Sequence, residues 1–217
     1  MQAYSTSADL MNMEQRKRAH LINSIGGFKS VCLIGSVDQA GQTNLAIFNS
    51  IFHIGATPPL ICFVVRPDTA DRHTLSNILA TGSYTINHIN EYIYKQAHQT
   101  SARYAKEISE FDATGLEAEY KNKFPAPFVR KSVIQLGVVY RQRIDISLNG
   151  TILIIGEINQ LYYPEDCFCE DGYIDLEKAG TVTCTGLDSY HTTKRLERLS
   201  YAKPDKELTS IAIKHKS

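Results

Sequence analysis

The sequence carries no net charge: Lys+Arg 23 balance Asp+Glu 23. Neutrality removes the basic footprint that nucleic-acid binding requires, and with it the attraction to an anionic membrane surface. Long apolar runs are missing as well. The longest, residues 60–65 and 151–155, have the length of strands and fall well short of the roughly 18 residues of a membrane span. The opening residues Met1-Gln2-Ala3-Tyr4-Ser5 lack the basic region and apolar stretch of a signal peptide. Cysteine is scarce: five residues, an odd count without framework spacing, which predicts reduced thiols and a cytoplasmic location. No Gly-x-Gly-x-x-Gly marks a Rossmann site, and Walker, His-Glu-x-x-His, Gly-x-Ser-x-Gly and Cys-x-x-Cys motifs are absent. Cys167-Phe168-Cys169 with Cys184 is poorly spaced for structural zinc, and the acidic residues nearby lack the oxygen spacing of a calcium loop. Asp188, Ser189 and His191 crowd into one turn, whereas a catalytic triad converges from distant segments. No metal is therefore assigned, and these three residues are given no catalytic role.

What is present is enough apolar residue, 43% of 217, for one domain with a full core. The reading is a single domain over 1–217: an N-terminal helical extension (1–27), a β-rich body (28–204) with a helical excursion (90–131), and a tail (205–217). A surface helix is expected up to Gly26-Gly27, with Arg16, Lys17 and Arg18 on its solvated face. Apolar and β-branched stretches predict strands over 28–37, 43–48, 60–66, 83–89, 132–140, 143–148 and 151–158. Asp38-Gln39-Ala40-Gly41 reads as a turn, and Asn149-Gly150 as the two-residue type I′ turn of a hairpin. Between the third and fourth strands lies a helix, with Asp71 as its cap, Leu75, Ile78 and Leu79 as its apolar stripe, and Gly82 as its stop. Residues 90–131 are rich in tyrosine and read as a long excursion with short helices, either a lid or partner-binding arm or a plain helical insertion. After Pro164 the chain turns acidic and loop-like, and from about residue 191 it is polar and helix-prone. The class is mainly β with added helices, a closed Greek-key barrel, because closure removes exposed edges.

Two segments carry chemistry. Asn49 and Ser50 follow a strand and offer small polar groups that suit the edge of a planar heterocycle. Arg66 closes the next strand, and Arg72 and Thr74 sit where a helix begins, so amide dipoles, charge and a hydroxyl together form a phosphate cradle. The alternative is a plain capped helix, with the two arginines offsetting Asp68 and Asp71.

The order of several short motifs goes further. Asn44-Leu45-Ala46, Ser50, Pro58-Pro59-Leu60, Thr74-Leu75-Ser76-Asn77-Ile78 and Gly82 are followed by Ser101, Ser109-Glu110-Phe111, Gly115-Leu116, Ala126-Pro127 and Asn149-Gly150. Gly186-Leu187-Asp188-Ser189-Tyr190 and Leu199-Ser200-Tyr201-Ala202-Lys203-Pro204 close the series. The set resembles the flavin reductase-like, FMN-binding split-barrel family, which includes flavoredoxin and the reductase components of two-component monooxygenases. The resemblance implies a six-stranded Greek-key split barrel, a homodimer, and FMN held near the dimer interface. It also implies NADH or NADPH as hydride donor and a monooxygenase or other redox partner as acceptor, the cofactor carrying the chemistry. Arg72-His73-Thr74 stands where the family commonly has Lys-Asp-Thr, with His73 a departure, and this favours the phosphate cradle over the plain cap. By family position Ser101 joins Asn49, Ser50, Arg66, Arg72 and Thr74 as a cofactor-binding residue. Two alternatives remain: a flavoredoxin-like carrier with permanently bound FMN, and a non-catalytic flavin-binding or ligand-binding barrel.

Overall fold

The computed structural model describes residues 1–67 and 73–216. Asp68, Asp71 and Arg72 lie outside the described residues, so the expected cap and one arm of the expected cradle have no structural account.

Two helices precede the body, where the sequence predicts one: α1 (Ser7–Asn12) and α2 (Gln15–Ile25). The break falls at Glu14, whose carboxylate accepts from the Arg16 and Lys17 amides and so starts a new helix. Arg18 is not free in solvent, since its guanidinium donates to the Met11 carbonyl at 2.8 Å and ties α1 to α2. The stop comes where expected, with Gly27 in the left-handed region at φ 81°.

The body is a seven-stranded antiparallel sheet. Its strands are β2 (Cys32–Val37), β3 (Thr43–Phe48), β4 (Ile51–Ala56), β5 (Pro59–Val65), β6 (Ser83–His88), β9 (Gln135–Ile146) and β10 (Thr151–Tyr162). They run in the order β3-β2-β6-β9-β10-β5-β4. Smaller sheets join β1 (Lys29–Ser30) to β11 (Thr183–Thr185) and β12 (Ser189–His191), and β7 (Ala118–Glu119) to β8 (Phe128–Val129). Among the described residues no helix is long and apolar enough to cross a membrane.

Three expectations change. The sheet has one strand more than the six expected, because β4 adds an edge strand absent from the pattern reading. The expected strands at 132–140 and 143–148 are one strand, β9, accommodated by a register shift opposite Ile155 and Gly156. The barrel is also not closed by hydrogen bonds: β3 and β4 are the sheet's two end strands, bridged only by Asn49 and Ser50. A split barrel therefore keeps two edges, and its seam passes through those two residues.

The β9–β10 connection differs too. The ladder ends at Ile146 opposite Thr151, leaving a four-residue loop rather than a two-residue turn. Only Gly150 takes positive φ there, while Asn149 uses its side chain to accept from the Thr151 amide and hydroxyl. Helix α3 (His73–Thr81) buries Thr74, Leu75, Asn77 and Ile78, but Leu79 is exposed, so the apolar stripe lies one residue away from its expected path. Gly82 ends the helix with its amide on the Ile78 carbonyl. One apolar cluster fills the barrel around Phe63, Tyr84, Ile86, Val138 and Ile154. A second packs the outer side of β2 and β3 against α4 (Tyr94–Gln99) and α5 (Glu110–Thr114), the helices of the tyrosine-rich excursion.

The C-terminal segment is extended rather than helical. Arg198 pairs with Asp171 at 2.6 Å over the Tyr173 ring, and Arg195 and His215 both reach Asp175. Amides of Glu170 and Lys216 bond across to the Lys214 and Phe168 carbonyls. These long-range anchors override a local helical preference that nothing apolar supports.

Candidate functional site

A cavity of about 930 Å³ opens along the outer edge of β3 and around the seam. That volume lies at the upper end of the roughly 300–1,000 Å³ usual for small-molecule sites. Its wall combines β3, the Asn49–Ser50 bridge, the end of β5, the start of α3, the segment after α4, the β11–β12 turn and one face of α2.

An end strand has a free edge, and here the edge is partly sealed. Glu110 of α5, buried, accepts from the Leu45 amide at 2.9 Å. Burial pushes its carboxyl above the ordinary range, against the pull of the Leu45 amide and the His73 charge. Since Leu45 N–H points away from β2, so do the amide and carbonyl of Ile47, two residues on along the strand. Ile47 lines the cavity, so its main chain presents one donor and one acceptor there.

The start of α3 is preorganised. Asn44 is buried, and its amide donates to Thr74 Oγ1 at 2.9 Å. Asn44 and Asn77 both reach Ser36 Oγ, which completes a small polar web beneath the helix. Because Thr74 Oγ1 accepts from Asn44, its own proton remains available to donate, and Thr74 lines the cavity. A hydroxyl held as a donor beside a helix start suits an anion. Asn49 donates its amide to the Gly186 carbonyl at 3.0 Å and to Cys184 Sγ at 3.7 Å, which fixes the β11–β12 turn against the seam and leaves the side-chain oxygen as an acceptor.

Five of the six expected cofactor-binding residues thus line one cavity: Asn49, Ser50, Arg66, Thr74 and Ser101. The sixth, Arg72, lies outside the described residues. Pattern reading missed Asn44 as the group that sets the Thr74 hydroxyl, and Ile47 as a main-chain contact. It also missed that Arg16 and His20, both solvent-exposed on α2, border the cavity. Their spacing with Ala19 (i, i+3, i+4) was a legible signal for one helix face. Asp188, Ser189 and His191 stay within one turn, His191 Nε2 lying 3.2 Å from Ser189 Oγ. All five cysteines are free and buried, and burial pushes the Cys32 thiol up to about 12.

The lining offers a hydroxyl at Thr74 and a guanidinium at Arg66 to an anion, and small polar groups along β3 and the seam to a planar heterocycle, a donor set compatible with a flavin mononucleotide. The family model described as flavin reductase like domain matches residues 26–175. A split-barrel protein from Shewanella frigidimarina NCIMB 400, assigned as a flavin reductase, is 48% identical, with a TM-score of 0.90 over 93% of this chain and 100% of that one. Nitrilotriacetate monooxygenase component B from Bacillus cereus shares the fold at 19% identity, with a TM-score of 0.80 over 91% of this chain and 100% of that one. So does 2-nitrobenzoate 2-nitroreductase from Pseudomonas fluorescens, at 21% identity and a TM-score of 0.79 over 94% and 99%.

Proposed function

The chain belongs to the flavin reductase-like domain family, and from that premise we propose that it binds FMN and acts as an NAD(P)H-dependent flavin reductase. The observation that carries this reading is the convergence of Asn49, Ser50, Arg66, Thr74 and Ser101, drawn from four separate stretches of sequence, on one cavity. When bound, the flavin supplies the hydride-accepting chemistry toward a nicotinamide donor. The chain supplies position and charge. Arg66 and the Thr74 hydroxyl hold the phosphate, together with Arg72. Asn49, Ser50 and the Ile47 main chain orient the ring edge. Ser101, on the segment after α4, adds a hydroxyl to the lining. The reduced flavin, or its electrons, would go to a monooxygenase or another redox partner, and the protein would work as a homodimer.

Steady-state NADH and NADPH oxidation with and without added free FMN tests the reading. Turnover stimulated by free flavin is expected. A tightly held flavin that only a redox partner reduces would make the protein an electron carrier. No reduction by any donor would reduce it to a flavin-binding barrel.

A further inference from the structure

The arginines among the described residues divide into two groups. Arg130, Arg141, Arg143, Arg195 and Arg198 each pair with a carboxylate, and Arg18 donates to main-chain carbonyls. The guanidiniums of Arg16, Arg66 and Arg103 make no hydrogen bond and no ion pair among the described residues, and all three line the same cavity. The carboxylate next to Arg16, Glu14, is already engaged by the Arg16 and Lys17 amides.

Arg66 belongs with the α3 start and the flavin phosphate. Arg16 comes from elsewhere. It lies on α2, ahead of residues 26–175 where the family match begins. Arg16, Ala19 and His20 form a single helix face, and that face is turned to the cavity. A helix docked only for stability presents an apolar stripe to the body. This one presents a cation, a small residue and an imidazole, and α2 buries no residue at all. All three are solvent-exposed, while the half-buried residues of α2 are Arg18, Leu21 and Asn23, so the cavity side of the helix is left open to a ligand. The segment after α4 adds Arg103 and Lys106 to the same lining. The carboxylates in the lining are Glu110, which is engaged by Leu45, and Asp188.

Building on the flavin reductase reading, we propose that Arg16 with His20 on α2, together with Arg103, forms a second anion-recognition point that takes the pyrophosphate of the nicotinamide dinucleotide. One flavin phosphate carries at most two negative charges, fewer than the three guanidiniums drawn from three parts of the chain supply, and the cavity is large enough for a second ligand. Arg16 on this view is a specificity residue for the co-substrate, supplied by an extension outside the matched family domain. Because both dinucleotides share the pyrophosphate, α2 selects for a dinucleotide without choosing between NADH and NADPH.

The test uses FMN-loaded full-length protein and equilibrium binding of NAD+ and NADP+ by calorimetry, so no turnover is needed. Arg16→Ala should weaken both dinucleotides by about tenfold, the range of one charge-assisted contact near a surface. Arg16→Lys should recover part of that loss. FMN and riboflavin affinities, read by fluorescence quenching, should stay within about twofold of wild type, since this anion point is separate from the flavin phosphate. Arg103→Ala should repeat the pattern, and circular dichroism should show both variants folded. Dinucleotide binding unchanged in both variants would overturn the inference and leave the reductase reading standing. A loss of FMN affinity without a dinucleotide effect would assign Arg16 to the flavin phosphate and also overturn it. A loss confined to NADP+ would move the contact to the 2′-phosphate and overturn the pyrophosphate assignment. Wild-type protein that binds FMN but neither dinucleotide would bring down this inference and the NAD(P)H-dependent reading together.

Discussion

The interior of the barrel and the wall of the cavity obey opposite rules, although the same strands build both. Inside, side chains touch with no space left over. A Cβ placed on Gly156 would lie 2.4 Å from both Tyr84 Oη and Val138 Cγ1, so glycine is the residue that fits. Along the cavity there is about 930 Å³ of room, guanidiniums lack partners among the described residues, and a buried threonine is held with its proton to give. The interior is filled by its own side chains, although the buried Tyr84 hydroxyl finds no hydrogen-bond partner among the described residues; the wall is left for something else to fill. Polar groups left without internal partners beside a cavity are what a binding site requires and what a core avoids.

The interior should break most readily at Gly156. Gly156→Val forces two methyl groups into Tyr84 and Val138, an overpacking expected to destabilise by about 3 kcal/mol. For a chain of this length that lowers the thermal midpoint by roughly 6–12 °C. Flavin affinity of the protein that remains folded should be unchanged, because Gly156 does not line the cavity. Calorimetric melting checks the first point and flavin titration the second. An unchanged midpoint would mean that the barrel interior is not packed as described.

A smaller effect tests whether the interior excludes charge as well as bulk. Burial lowers the pKa of His88, at the end of β6, from its ordinary 6.5 to about 4. The unfolded chain therefore binds a proton in a range where the folded one does not. Stability from this group is complete above about pH 6.5 and is lost as pH falls toward 4. Because His88 keeps some solvent contact, the loss by pH 4.5 should be on the order of 2 kcal/mol. Urea unfolding of wild type and His88→Gln at pH 7.0 and pH 4.5 isolates it, since the carboxylates titrate alike in both proteins. Equal losses in the two would show that the ring is solvated.

The same contrast explains which parts of the molecule were legible. Apolar periodicity reports burial, so β3, β5, β6 and α3 stand nearly where the pattern placed them. β4 was invisible because it is an edge strand, exposed from Phe52 to Ile54 and defined by pairing with β5 rather than by alternation. The C-terminal segment misled because its conformation is set by Asp171 and Asp175, some twenty to forty residues away. At the site, Asn49, Ser50, Arg66, Thr74 and Ser101 could be named from motif order, but not the Asn44 contact that orients Thr74, since it joins residues 30 apart. Arg16 is solvent-exposed as expected, but that its exposed face also borders the cavity was not legible, because only the fold decides where a polar helix lies.

The cavity wall gives the smallest of these effects and the sharpest test of what the wall is for. Thr74 lies between two demands: its oxygen accepts from the buried Asn44, and its proton is left for a ligand. Thr74→Val keeps the shape and removes both. A hydrogen bond to a charged group contributes about 1.5–3 kcal/mol, and an exposed phosphate screened by water and salt should sit near the lower figure. FMN affinity should then fall about tenfold, 1.4 kcal/mol being a decade. Riboflavin carries the same ring without the phosphate, so its affinity should barely change, and the preference of the wild type for FMN should shrink by the same factor. Thr74→Val also leaves the Asn44 amide without its acceptor, so lost stability alone could mimic lost binding. Thr74→Ser separates the two, because it restores the hydroxyl and should return FMN affinity to within about twofold of wild type. Raising salt should weaken FMN binding more than riboflavin binding in the wild type and by less in Thr74→Val. Equal losses for the two flavins would mean that Thr74 supports only the web of Ser36, Asn44 and Asn77, and the phosphate would then have to be held without it.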